Sequence, residues 1–152
     1  GRFELASLLS NLLAKLFIEE LFIKTNFLSS IDLILSVPLH NRKWQIRGYN
    51  QAHLLAKPLA DYLHLPYDEA ALMRVKNNIS QVGQTGSQRR KNLTNAFKLV
   101  KDLPDNSKHI MLVDDVITTG STVNEISKVL RKAGVNTITV VTVCLSLPKS
   151  VN

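Results

Sequence analysis

The sequence has almost nothing with which to cross-link itself. Its one cysteine, Cys144, lies inside the apolar run Ile138-Thr139-Val140-Val141-Thr142-Val143-Cys144-Leu145, so neither an intrachain disulfide nor a cysteine-based metal site is available. That usage suits a reducing cytoplasm. Aromatic residues are scarce as well, at 6%. Trp44, Tyr49 and Phe97 are scattered rather than paired on strands, which argues against a stacking platform for single-stranded nucleic acid. No run approaches the roughly 18 apolar residues of a membrane span. At the amino-terminal end, Lys15, Glu19 and Glu20 interrupt the leucines, so no secretory leader is expected there. Two common nucleotide signatures are missing too: there is no Gly-Lys-Ser/Thr for a Walker A loop and no glycine triplet for a dinucleotide fingerprint.

What is present points to one domain with a sizeable core, since the chain has 152 residues and is 45% hydrophobic. The net charge of +7 is unevenly placed: residues 40–98 hold 10 Lys/Arg against 3 Asp/Glu. A basic middle suits any polyanion, nucleic acid and phosphorylated small molecule alike.

The leucines at 5, 8, 9, 12, 13 and 16 have the spacing of an amphipathic helix over about residues 4–23. Residues 31–37 then form a short apolar run that ends at Pro38 and reads as a buried strand. A polar, basic loop leads to a second helix over about 50–63, which Pro58 should kink. A short strand is expected near residues 67–73, an exposed loop over 76–86, and a short helix from Thr85 to about Asn95. Residues 96–100 alternate like a strand, and Pro104-Asp105-Asn106-Ser107 reads as a turn. The last third reads as a buried strand over 110–113, a loop from Asp114, and a helix over 122–133. Thr122 and Glu125 have the spacing of a capping box for that helix, Gly134 stops it, and a strand over about 137–145 follows. Strands that are apolar on both faces and alternate with helices favour an α/β domain with a largely parallel sheet.

Ligands of open α/β sheets bind outside the carboxyl ends of strands, and the segment after Val113 lies at such an end. Thr118, Thr119, Gly120, Ser121 and Thr122 lead into a helix N-terminus, where free N–H groups and the helix dipole favour an anion. Asp114 and Asp115 stand just before it as acceptors suited to vicinal hydroxyls. A phosphate on the loop and a diol on the acids together describe a ribose 5-phosphate. The competing explanation, acids that merely cap the following turn, would suit an isolated Asp-Asp better than one flanked by an apolar strand and Thr-Thr-Gly-Ser-Thr.

The run from Ile110 to Thr122 resembles the binding motif for 5-phosphoribosyl-1-pyrophosphate (PRPP) in type I phosphoribosyltransferases. The resemblance implies the type I phosphoribosyltransferase fold, with Asp114 and Asp115 on the ribose hydroxyls and residues 118–122 on the 5-phosphate. It further implies Mg²⁺ arriving with PRPP, and an acceptor such as a nucleobase. Pro38, Leu39, His40, Arg42 and Arg47 look like the family's pyrophosphate loop, though a solvated basic loop is the simpler alternative. Three further runs, Arg47 to Ala52, Gln81-Val82-Gly83 and Gln88 to Leu93, followed by Ala96-Phe97, are similar to the competence protein F (ComF, GntX) family. Members of that family commonly carry an N-terminal cysteine zinc ribbon, which this sequence does not have, and Gln84 stands where leucine is usual. Arg89 is assigned beside the acids as a catalytic residue, because Arg89, Arg90 and Lys91 either close over pyrophosphate or stay solvated on a short helix. The resemblance thus implies an enzyme, or alternatively a PRPP-binding module that contacts DNA or a protein of the uptake machinery. A plain nucleic-acid-binding domain ranks last.

Overall fold

The computed structural model describes residues 30–39, 48–75 and 94–145. The helix expected over 4–23, the loop over 76–86 and most of the helix expected from Thr85 lie outside them; Thr94 and Asn95, at the end of that span, form a turn. Four strands form one parallel sheet, in the order β2 (Tyr67–Asp68), β1 (Leu33–Ser36), β5 (His109–Ile117), β6 (Thr137–Leu145). A separate antiparallel pair joins β3 (Leu72–Arg74) to β4 (Phe97–Leu99). The helices are α1 (Gln51–Leu63) and α2 (Ser121–Lys132).

Alternation along the strands distributes the core to both faces of the sheet. Ile34, Met111 and Val113 pack with Ala56, Leu59 and Ala60 of α1. Leu33, Leu35, Ile110 and Leu112 pack with Ile126 and Leu130 of α2, together with Leu72 and Phe97 of the β3–β4 pair. The apolar central strands, β1 and residues 110–113 of β5, are therefore covered on both sides, whereas β6 is only partly buried. Its N-terminal edge is tied by Asp32, whose Oδ2 accepts the N–H groups of Lys108 at 2.9 Å and His109 at 2.8 Å.

Three expectations need correction. The single strand near 67–73 is two strands in different sheets, because Asp68 Oδ1 accepts the N–H groups of Ala70 and Ala71 and turns the chain between them. The strand expected to end at Val113 continues to Ile117, because β6 runs on beside it with Asp114 opposite Thr142 and Ile117 opposite Leu145. The Thr122–Glu125 capping box does not form: α2 begins one residue earlier, its N-cap is Gly120, and Glu125 pairs with Lys128 at 2.6 Å. Pro58 sits within α1, yet the helix runs on to Leu63.

Leu112, fully buried between β1 and β6, and Val143, 45% exposed on β6, make a direct comparison. Leu112→Ala is expected to cost about 2–5 kcal/mol in urea titration, against about 1 kcal/mol or less for Val143→Ala. Equal costs would contradict a sheet centred on β5.

Candidate functional site

The site begins where β1 and β5 end side by side. Ser36 lies opposite Val113 in the parallel register, and the Val37 N–H donates to the Val113 carbonyl at 2.9 Å. This brings Pro38 and Leu39 alongside the start of the acid pair. Asn50 fixes the return of the same connection: its Nδ2 donates to the Val37 carbonyl at 3.0 Å, while its Oδ1 accepts the Ala52 N–H at 3.1 Å and caps α1. Sequence reading placed a helix start at Asn50 but not this tie to β1; the cap was legible, since asparagine before a periodic run is a start signal, whereas the contact across 13 residues was not. His40, Arg42, Arg47 and Arg89 lie outside the described residues. So do most cations of the basic middle, with Lys57, Arg74 and Lys98 the ones that are described.

Asp114 and Asp115 occupy the carboxyl-terminal half of β5. Asp114 is 8% exposed, and its Oδ1 accepts the Asp115 N–H at 2.9 Å. Asp115 is more open; its Oδ1 accepts the Val116 N–H at 2.8 Å, and its carbonyl accepts from Thr142 Oγ1 at 3.1 Å. Burial, and after it the neighbouring Asp115 carboxyl, push the Asp114 pKa up to about 7. Asp114 therefore still holds much of its proton near neutrality, and a ligand hydroxyl donating to it would favour its ionised form.

Residues 118–120 turn the chain from β5 into α2. Gly120 has φ 69° and ψ 1°, a left-handed conformation that disfavours a side chain, and a Cβ built there would meet nothing within 4 Å. Thr119 Oγ1 and Ser121 Oγ are hydrogen-bonded at 2.8 Å, and both residues are open enough to meet a ligand. The Asn124 N–H takes the Gly120 carbonyl at 2.9 Å as the first helical bond. The N–H groups of Thr122 and Val123 find no acceptor among the described residues, because Gly120 supplies no capping side chain. Hydroxyls, amides with no acceptor among the described residues, the positive end of α2 and open space above Gly120 are features that suit an anion.

The raised Asp114 pKa has a consequence for stability. Its folded value of about 7 stands above the ordinary 3.8, so between these limits the folded chain holds more protons than the unfolded one. Stability attached to Asp114 is therefore full below about pH 4 and is lost as pH rises through 7. Asp114→Asn, which keeps the acceptor for the Asp115 N–H, is expected to melt several degrees higher than the parent at pH 8 and to show no gain at pH 4. Melting curves across that range check it; a gain that does not grow with pH would contradict a buried Asp114 that keeps its proton.

Comparison with known proteins follows the same lines. The phosphoribosyl transferase domain family matches residues 50–150. The chain is 42% identical over 147 residues to DNA utilization protein YhgH of Escherichia coli O157:H7, covering 96% of this chain and 63% of that protein. It is 47% identical over 121 residues to competence protein F of Haemophilus influenzae, covering 77% of this chain and 52% of that protein. The chain therefore spans only part of the length of these relatives. A solved structure described as the allosteric regulatory enzyme of purine biosynthesis superposes with a TM-score of 0.55 at 19% identity, covering 88% of this chain and 25% of that one, which supports the fold alone. With a parallel sheet flanked by helices, the chain belongs to the phosphoribosyl transferase domain family, within the competence protein F group, and has the type I phosphoribosyltransferase fold.

Proposed function

We propose that this domain binds PRPP, with its 5-phosphate on residues 118–122, its ribose hydroxyls on Asp114 and Asp115, and its diphosphate beside Pro38, Leu39, His40, Arg42 and Arg47. The observation that carries the reading is the conjunction, at the carboxyl end of β5, of an acid pair whose first member is buried with a left-handed glycine turn whose following amides find no acceptor among the described residues. Among the described residues no group of three or more His, Cys, Asp or Glu stands close enough to hold a metal. Two carboxylates still suit a hard cation that brings most of its oxygen ligands with it, so Mg²⁺ would enter with PRPP and could be held by Asp114 and Asp115. Bound there, the ion would neutralise diphosphate charge.

In the catalytic form of this reading, the bond from the anomeric carbon to the diphosphate oxygen breaks and the electron pair leaves with diphosphate. A nitrogen acceptor such as a nucleobase then forms the new bond at that carbon. In this reading the chain's own contribution is positioning and charge stabilisation, with the acids orienting the ribose and the charges of Arg89 and Arg47 assigned to the leaving group. A second reading is a PRPP-binding module that contacts DNA or a protein of the uptake machinery; it is favoured by the names of the relatives and by the basic excess over residues 40–98.

Calorimetry with PRPP, with and without Mg²⁺, followed by a nucleobase screen for diphosphate release, separates the two. Binding with release supports the enzyme, and binding without it the module. Asp115→Asn is expected to weaken PRPP by about 1.5–3 kcal/mol while the fold persists. Gly120→Val is expected to abolish ribose 5-phosphate binding, whereas its left-handed strain alone costs roughly 1–2 kcal/mol of stability. Near-parental affinity in the folded Gly120→Val protein would mean that residues 118–122 are not the phosphate cradle.

A further inference from the structure

One polar chain runs from the surface to the root of the connection between β1 and α1. The Tyr67 hydroxyl lies 2.9 Å from Ser36 Oγ and 2.8 Å from His53 Nδ1. The same Nδ1 lies 2.9 Å from Glu69 Oε2, and the imidazole and phenol rings are tilted at 42° with centroids 5.7 Å apart. A carboxylate only accepts, so the Nδ1 that faces Glu69 carries a proton. That single N–H is shared between Glu69 Oε2 and the Tyr67 oxygen, which leaves the Tyr67 hydroxyl to donate to Ser36: the exposed Glu69 orients His53, His53 orients Tyr67, and Tyr67 holds Ser36. Burial pushes the Tyr67 pKa up to about 12, which keeps the hydroxyl protonated as this arrangement needs.

The three bonded side chains come from three elements that core packing already holds together. Ser36, at 4% exposure, ends β1; His53 is in the first turn of α1; Tyr67 begins β2. Burying polar groups here is costly unless each is satisfied, so the set adds directional restraint rather than hydrophobic gain. Its position shows what is restrained. Ser36 immediately precedes Val37, Pro38 and Leu39, and His53 follows Asn50, so the relay closes the two ends of the 37–50 connection beside the Asn50–Val37 tie.

We propose that Tyr67 is a positioning residue for the diphosphate end of the phosphosugar, fixing the end of β1 against the first turn of α1 and so the span between the two feet of that connection. The inference rests on the reading of Pro38 to Arg47 as the diphosphate side. Tyr67→Phe keeps the ring packing and removes only the hydroxyl; Ser36→Ala breaks the same relay from its buried end. Titrating each folded variant with PRPP and with ribose 5-phosphate gives the test. Both variants are expected to lose roughly 2–10-fold in PRPP affinity, as for one hydrogen bond, with ribose 5-phosphate unchanged. Leu130→Val, a core change in α2, serves as the stability control and should leave the ratio of the two affinities alone. Arg47→Ala tests the underlying reading separately. If the parent prefers PRPP and Arg47→Ala reduces that preference while both relay variants keep it, or lose both ligands equally, the positioning role is overturned and the diphosphate reading stands. If Arg47→Ala leaves the preference intact, or the parent has none, the diphosphate reading itself fails and the inference falls with it.

Discussion

β5 is the member on which the other parts of the molecule are aligned. It is paired on both sides, with β1 and with β6, and Ile110, Met111, Leu112 and Val113 are each no more than 2% exposed. A strand held in this way has no freedom of register, because a slip of one residue would exchange the residues that face α1 for those that face α2. The acids follow this run directly in the chain, and the turn into α2 follows the acids. The placement of the acids and of the turn is thus a by-product of a strand that cannot move without dismantling both halves of the core.

Much of this was legible because the residues that build the sheet are those that pack on both faces. The bounds of β6 and the span of α1 are readable from apolar runs and periodicity, and the acid pair and hydroxyl turn are recognisable from residue type and order. What was illegible depends on partners distant in sequence. Nothing local to Asp114 says that the strand continues through it; that follows from β6 extending beside it to Leu145. The capping box was misjudged for a related reason, since Glu125 has a competing partner in Lys128 and the left-handed Gly120 starts α2 one residue early. The turn at Asp68 carried a signal in its side chain, but the β-prone residues on either side hid it.

The Ser36, Tyr67 and His53 contacts have separations of 31 and 14 residues and no sequence signature. Serine, tyrosine and histidine at such distances are ordinary surface composition until a fold brings them together. Asn50 stands between the two cases, because its capping role is local and its bond to the Val37 carbonyl is not. The candidate site accordingly divides into a part written as a contiguous motif and a part that exists only through topology.

The unequal lengths of the strands have a mechanical meaning. β1 has four residues and β5 nine, and the last bond from β1 to β5 described here is that of the Val37 N–H to the Val113 carbonyl. Beyond that point Asp114, Val116 and Ile117 are paired with β6, and among the described residues no strand continues on the other side, so this stretch is a two-stranded ribbon there. Such ribbons twist more readily than wider sheets. Among the described residues the acids are thus braced from one side only, and a ligand meeting them would press on a less supported stretch of β5 than the four-residue core that precedes it.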